Sequence, residues 1–406
     1  MPVYLPSDTR ETLPNPSGTC SNRSLLLDRY ADPAAKEEDR VKFFRSVIGK
    51  TVNPCKRDAW QQFLLNAIGM KPEEILLGKL QSRLMVNMAG GVMENAGLCL
   101  DRLTGMPYVP GAAVKGCARS MAIQEMRETE STDAKTKLLE FAALIFGWGN
   151  TDWKDGRGRG RHGTPGGLNS DFEYACGEGQ PWRRIRDSAA AALAARLKVK
   201  LKKSNPVWSQ LPNFAGAVSF LPAYPRVSPV PDLELDVVTP HHQKYYGANA
   251  ELEMPVALDT ENPIPVVFPA VAAGHIFAFA VIGKDRDLVQ KAREWLRGGL
   301  QIFGIGAKTA AGYGWFDCST GVTSEVSAVA STEQERKKHE PIGDFNEVSF
   351  RNAVLNRLFK KGEWQQLQKE VEKLMRPGNK EWLDKFRGAT AGKDHKELRA
   401  KEWYPK

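Results

Sequence analysis

Eleven residues late in the chain concentrate groups suited to holding an anionic ligand. Gly304-Ile305-Gly306-Ala307-Lys308-Thr309-Ala310-Ala311-Gly312-Tyr313-Gly314 holds four glycines, one lysine, one threonine and one tyrosine. Glycine permits positive φ and close backbone approach, so such a loop can wrap a ligand with its own N–H groups. Lys308 supplies a point charge suited to phosphate, and Tyr313 a face for stacking. The flanks matter as much as the content. The spacing of Leu288, Ala292, Trp295 and Leu296 predicts a helix over Asp285 to Arg297 before the loop, and Tyr313 to Cys318 reads as a strand after it. A phosphate-binding P-loop has the reverse order and no residue between its glycine and lysine, where Ala307 stands here. A dinucleotide fingerprint needs a third glycine where Thr309 stands. A surface turn without a ligand is the competing reading of the same composition.

Three further groups could touch nucleic acid. His241-His242-Gln243-Lys244-Tyr245-Tyr246 places acid–base groups beside aromatics. Histidine as base and lysine as anion stabiliser would suit an RNase-like reaction, but neighbours in extended chain point to opposite sides. Stacking on bases and structural packing are the other readings of this group. Lys115 and Arg119 stand four apart, on one face of a helix predicted to open at Gly111, where amide groups favour an anion. Gly149 to Gly167 carries Arg157, Arg159, Arg161 and His162 among seven glycines, a spacing that suits a phosphate backbone without sequence readout. A second basic run extends from Arg183 to Lys203. No spacing suits a metal site or a G-x-S-x-G nucleophile elbow, so no catalytic residue, metal or cofactor is expected.

Positioning these groups falls to a mixed set of elements. A polar arm precedes helical spacing at Val41 to Ile48 and at Trp60 to Ile68. Arg83–Met88, Gly97–Leu103, Gly216–Leu221, Leu233–Val238 and His275–Ile282 read as strands. Helical pattern runs from Gly111 to Phe146 with a polar break near 128–134. The tail shows helical spacing at Phe350, Val354 and Leu358, and again at Trp364, Leu367, Val371 and Leu374. The domains expected are an N-terminal arm and helical segment over 1–79, a core over 80–320 with a basic insertion around 149–205, and a linker with helical tail over 321–406.

The totals are compatible with that reading. The 406 residues are 42% hydrophobic and 26% charged, with a net charge of +9, a mild basic excess that nucleic-acid binding would use. Six scattered cysteines without a C-x-x-C pair favour reduced thiols, and no apolar run of about 18 residues exists, so a cytoplasmic protein away from membranes is expected.

Taken together, these stretches resemble one family. Gly304 to Gly314 is similar to the C-terminal glycine-rich loop of RAMP proteins, the repeat-associated subunits of CRISPR–Cas RNA-guided complexes. Tyr108-Val109-Pro110-Gly111-Ala112-Ala113-Val114-Lys115-Gly116 is similar to the superfamily's strand-to-helix motif, commonly I-P-G-S-S-L-K-G, with Ala112 and Ala113 at its serines. Ser82-Arg83-Leu84, Glu94 to Gly97, Leu233 to Asp236, Pro240 to His242 and Lys244 to Tyr246 narrow the resemblance to the type III-B (Cmr) group and its sixth-subunit family. The match spans roughly residues 80–320.

The resemblance implies an α+β class: a ferredoxin-like (RRM-like) RAMP fold of βαββαβ units, with helical N- and C-terminal elaborations. It implies a non-catalytic RNA-binding backbone subunit near the 3′ end of the guide RNA in an antiviral ribonucleoprotein. Its partners would be guide (CRISPR) RNA and other Cmr-type RAMP subunits, with target RNA left open. Target cleavage in the family is attributed to a different backbone subunit with a loop aspartate, and no aspartate here stands in a matching motif. The RNA contacts expected are Lys115, Arg119, Arg157, Arg159, Arg161, His241, His242, Lys244, Tyr245, Gly304, Gly306, Lys308, Thr309 and Tyr313. The rival reading is a metal-independent endoribonuclease that processes CRISPR transcripts with His241 or His242. A third is a basic assembly protein that touches protein alone.

Overall fold

Two groups of buried side chains with no common member organise the protein, one drawn from Leu26 to Cys318 and the other from Phe350 to Leu398. The computed structural model describes residues 11, 18, 20–50, 52, 55–93, 95–149, 153, 171–239, 242, 263, 265–322, 324, 326, 350–352, 354–358, 360–375 and 380–405. The chain divides into the units Met1–Thr323 and Ser324–Lys406.

The first unit begins with helices α1 (Arg23–Arg29), α2 (Glu37–Ile48) and α3 (Cys55–Gln62). The Asn22 side chain caps α1 by accepting from the Leu25 N–H at 3.0 Å. On α2, Phe43, Phe44 and Val47 are buried, the spacing of one helical face. Strand β1 (Leu76–Leu80) alternates buried and half-buried residues and crosses the point, residue 80, at which the sequence reading starts the core. Its Leu-Leu-Gly-Lys-Leu sequence lacks β-branched residues, which hides it from a propensity reading.

Helix α4 (Gly111–Glu128) and helix α5 (Thr132–Phe146) follow, with the expected break between them. The chain then passes through β2 (Gly147–Trp148), α6 (Asp171–Cys176), α7 (Gln180–Arg196), α8 (Val207–Gln210) and β3 (Phe214–Ala215). Next come β4 (Val218–Phe220), β5 (Tyr224–Val227), β6 (Leu233–Val238), β7 (Val266–Val271), β8 (Ile276–Phe279) and β9 (Val281–Gly283). Helix α9 (Arg286–Ile302) and β10 (Phe316–Asp317) complete the unit.

The central sheet has the order β10-β1-β8-β5, with each neighbouring pair antiparallel. Numbered along the chain, these four strands lie 4-1-3-2, with α4 between the first and second and α9 between the third and fourth. Paired beside this sheet are β2 with β3, β4 with β9, and the hairpin β6–β7 from Leu233↔Val271 to Val238↔Val266. The class is therefore α+β.

The strand expected over Tyr313 to Cys318 is only Phe316–Asp317, that over Gly216–Leu221 is Val218–Phe220, and two others reduce to single bridges. Within Arg83–Met88 only Leu84 forms a bridge, to Val271, and within Gly97–Leu103 only Leu100 does, to Pro107. In the first segment the carbonyls of Arg83 and Met85 accept from the N–H groups of Gly314 and Ala307, and the chain then turns through left-handed Asn87 into a 3₁₀ turn over Met88–Gly90. A loop takes the place of a neighbouring strand.

Asp285 caps α9, accepting from the N–H groups of Asp287 and Leu288 at 3.1 and 3.2 Å. The helix buries Leu288, Ala292, Trp295, Leu296, Gly299 and Leu300 along one stripe. It packs closely on α4, because a Cβ on Gly299 would stand 2.6 Å from the Cys117 carbonyl oxygen. Lys291 pairs with Glu125 across this contact at 2.8 Å, and the Trp295 indole N–H donates to the same carboxylate. Each large apolar side chain buried here is worth roughly 1.5–3 kcal/mol.

The helices from α5 to α8 surround an aromatic stack. Trp148 and Trp153 lie 3.4 Å apart between ring centroids, with Phe172 and Trp182 beside Trp153 at 5.6 and 6.0 Å. Buried Arg186 donates to the Trp153 carbonyl at 3.1 Å and covers the Trp208 ring. Trp153 thus anchors the near end of the glycine–arginine stretch, a role its sequence neighbourhood did not disclose.

The second unit contains α10 (Trp364–Leu374), α11 (Lys380–Ala389) and α12 (Lys396–Arg399). Phe350, Val354, Leu358, Leu367, Val371 and Leu374, the positions picked out by helical spacing, are buried with Phe386 and Leu398. Among the described residues, no helix is long and apolar enough to cross a membrane.

Candidate nucleic-acid interface

The glycine loop begins as the end of α9. Gly304 takes φ +71° and donates its N–H to the Gly299 carbonyl at 3.0 Å, closing the helix. The loop then folds onto itself and onto the extended segment 83–86. Ile305 N–H donates to Gly314 O at 2.9 Å, Ala307 N–H to Met85 O at 2.7 Å, and Gly314 N–H to Arg83 O at 2.7 Å. The Ser82 hydroxyl donates to the Gly312 carbonyl.

Much of the amide supply that the sequence offers to a ligand is thus spent within the protein. Gly306 has φ +98°, and a Cβ there would stand 2.2 Å from the Met85 carbonyl oxygen. Gly314 has φ +69°, and its Cβ would stand 2.0 Å from the Ile305 carbonyl oxygen. The glycines at these two positions are required first by the loop's own packing.

An outer edge remains. Gly306, Ala310, Ala311 and Gly312 are exposed, while Lys308 and Thr309 are half-buried. Lys308 adopts the left-handed conformation at φ +60°, and its ammonium lies 5.2 Å from the centroid of the Phe268 ring. Tyr313 does not offer an unengaged hydroxyl. Its O–H donates to Asp236, and burial together with that carboxylate pushes its pKa up to about 12. Arg83 completes the group, with Nε 2.5 Å from Glu234 and 3.4 Å from Asp236. Burial disfavours the Arg83 charge, but Asp236 and Glu234 more than offset it and raise its pKa. Met85, Phe268 and Ala270 form the buried floor, with Met88, Ala307 and Tyr313 against it.

Sequence reasoning missed Arg83, Asp236 and Phe268. The signal was present in part, since the alternation Leu233-Glu234-Leu235-Asp236 places both carboxylates on one face of a strand. With Arg83 already paired to Glu234 and Asp236, the arrangement presents Lys308 and a small-residue edge to an extended polyanion.

The other expected contacts lie apart from this loop or outside the described residues. Lys115 Nζ donates to the Phe146 carbonyl at 2.9 Å, where it satisfies the C-terminal end of α5. Arg119 pairs with Asp171 at 2.6 Å and lies 4.8 Å over the Phe172 ring. Lys115 thus belongs to the contact of α4 with α5, and Arg119 to the contact of α4 with α6 in the 149–205 insertion. Arg157, Arg159, Arg161, His241, Lys244 and Tyr245 lie outside the described residues, and of the histidine pair only half-buried His242 is described. Among the described residues, no group of three or more His, Cys, Asp or Glu side chains could hold a metal ion.

No family model matches the chain. The CRISPR system Cmr subunit Cmr6 of Pyrococcus furiosus is 28% identical over 251 residues, 58% of this chain and 65% of that protein. A chain of the cryo-EM structure of the Type III-B Cmr-beta bound to cognate target RNA aligns with 77% of this chain and 86% of its own length, at 16% identity and a TM-score of 0.37. The crystal structure of Cmr6 from Pyrococcus furiosus aligns with 61% of this chain and 97% of its own, at 24% identity and a TM-score of 0.29. The likeness that the sequence motifs implied is borne out: this chain is similar to the CRISPR system Cmr subunit Cmr6.

Proposed function

We propose that this chain is a non-catalytic, RNA-binding backbone subunit of a type III-B CRISPR RNA-guided interference complex, placed near the 3′ end of the guide RNA. Its partners are guide RNA, target RNA where the two pair, and other Cmr-type RAMP subunits in a cytoplasmic ribonucleoprotein. The observation that carries the reading is the 251-residue likeness to Cmr6. The 4-1-3-2 order of the central sheet supports a ferredoxin-like core, the architecture that the resemblance implies. The exposed edge of the glycine loop, with Lys308 and Thr309, would lie along the RNA backbone. Tyr313 would act as the wall of that path rather than as a stacking platform, because it packs against the floor of Met85, Phe268 and Ala270 and its hydroxyl is tied to Asp236. The segments holding Arg157, Arg159 and Arg161 and His241 to Tyr245 would add contacts. Lys115 and Arg119 would shape the surface through the bonds they already make.

Two measurements test this reading. Labelled repeat RNA is incubated with the purified chain, in chelator and in magnesium, and binding is followed at several salt concentrations. Binding without cleavage is expected, with Lys308→Ala weakening affinity uniformly across sequences because phosphate contacts carry no base information. Specific cuts that His241→Ala or His242→Ala abolish would replace the reading with the endoribonuclease. Absence of RNA binding, with retained binding to other Cmr-type subunits, would leave the assembly protein.

A further inference from the structure

From Ser188 to Pro231 the chain contains no aspartate or glutamate, while it contains Arg196, Lys198, Lys200, Lys202, Lys203 and Arg226. Four of these cations crowd into the short loop that follows α7. Lys198, Lys200, Lys202 and Lys203 are exposed and make no ion pair among the described residues. A solvated flexible turn would be the ordinary fate of such a run, but this one is built. Lys198 takes the left-handed conformation at φ +55°, and Val199 N–H returns to the Ala194 carbonyl at 2.9 Å. The Gln210 side chain then brackets the loop. Its carbonyl accepts from Lys202 N–H at 2.6 Å, and its amide donates to Lys202 O and Asn205 O at 3.0 and 2.7 Å. The lysines are therefore displayed on a fixed backbone, which lowers the ordering cost of binding.

The cationic surface does not stop at this loop. Arg196 pairs with Asp285 at 2.8 Å, which joins the end of α7 to the start of α9. Lys284 and Arg286 flank that aspartate and line a cavity of about 490 Å³ that Lys71 and Arg293 also line, together with Glu74 and Asp287. Asp285 neutralises Arg196 and caps α9, so the excess positive charge rests on the loop lysines with Lys284 and Arg286.

We propose that the bracketed lysine loop, continued through Lys284 and Arg286, is a second phosphate-backbone site for nucleic acid, separate from the glycine loop. It rests on the RNA-binding reading above and adds a surface on the helical insertion. Lysines on a rigid loop without base-reading side chains bind phosphate as point charges, so the site takes RNA without sequence preference. The exposed Leu197 and Leu201 offer no flat face for stacking bases.

The test uses the full-length chain. Lys198, Lys200, Lys202 and Lys203 are changed together to Gln, and binding of labelled single-stranded homopolymer and mixed-sequence RNA is measured across salt. Affinity should fall roughly tenfold or more at low salt for every sequence, and the salt slope should flatten by about 0.7 for each phosphate that the variant no longer neutralises. Gln210→Ala, which removes no charge, should weaken binding by less and leave the slope nearly unchanged. Combined with Lys308→Ala, the quadruple change should lower affinity multiplicatively, as independent sites do. Unchanged affinity and slope in a normally folded quadruple variant, beside wild-type binding, overturns the second site and leaves the RNA-binding reading standing. A wild-type chain that binds no RNA overturns both. A band that binds an acidic polypeptide or anionic vesicles but not RNA overturns the assignment to nucleic acid.

Discussion

At the residue level, the glycine loop shows how one composition can serve two purposes. Gly306 and Gly312 both take positive φ, at +98° and +89°, yet their surroundings differ. A Cβ on Gly306 meets the Met85 carbonyl, whereas nothing lies within 4 Å of one on Gly312. Gly306→Ala should therefore cost roughly 2–5 kcal/mol, as strained backbone and overpacking combine. Gly312→Ala should cost only the left-handed strain, about 1–2 kcal/mol. Chemical denaturation of the two variants checks the ordering. Equal losses would mean that the Met85 carbonyl does not govern this position. The same geometry assigns a bulky substitution at Gly306 to stability before RNA approach, so loss of binding in such a variant has meaning only beside a melting curve.

At the level of elements, the hairpin β6–β7 is tied to α1 and β8 by one buried polar group. Arg23 is 1% exposed, forms a bidentate pair with Asp232, and donates through Nε to the Gly105 carbonyl at 2.7 Å. His275 is fully buried, with Nε2 donating to the Asp232 carbonyl at 2.9 Å, and its burial favours the neutral ring. Burial lowers the His275 pKa and outweighs the raising effects of the Asp232 carbonyl and carboxylate, with Arg23 adding a smaller lowering effect. In the unfolded chain the ring takes up a proton near pH 6.5, and in the fold only at lower pH. Its contribution is therefore present above about pH 6.5 and is lost as the pH falls below it, at about 1.4 kcal/mol per pH unit until the folded pKa is reached. Denaturant unfolding at about pH 7.5 and about pH 5.5 should show this loss, and His275→Gln should flatten it. A slope that survives in His275→Gln would assign the pH dependence to other groups. None of this clasp was legible from the sequence, because Arg23, Gly105, Asp232 and His275 are far apart along the chain. Periodicity located α9 and the two helices over Gly111–Phe146 because each has a buried face with a regular repeat, and it located β6 by the alternation of its sequence although only Leu233 there is buried. It passed over β1, whose leucines carry no strand preference, and extended Arg83–Met88 as a strand where a loop supplies the partner. The glycine loop was legible as a site by its composition. Its support was not, since Ser82 and Gly312 lie 230 residues apart.

For the molecule as a whole, the separation of the two buried groups makes a claim about folding. The group that reaches from Leu26 to Cys318 contains the α4–α9 contact, the central sheet and the tryptophan stack. The group from Phe350 to Leu398 draws only on the tail, with Trp364, Trp382, Trp403 and Tyr404 packed at its margin. The second unit is small, and its surface pairs, such as Lys385 with Glu381 at 3.2 Å, are each worth a fraction of a kcal/mol. Its stability thus rests on few apolar side chains. A chain ending at Thr323 should keep the main cooperative unfolding transition at an unchanged midpoint, since among the described residues the members of the larger buried group all fall between Leu26 and Cys318. Residues 324–406 also carry eighteen Lys and Arg against fourteen Asp and Glu, so their removal takes away four of the nine excess positive charges. RNA affinity should then fall modestly at low salt through the loss of long-range attraction, and recover toward that of the full chain as salt screens the difference. Calorimetry and salt-dependent binding on the truncated chain check both parts. A lowered midpoint would show that the first unit needs the second in order to fold, and an affinity gap that persists at high salt would place a direct RNA contact in the tail.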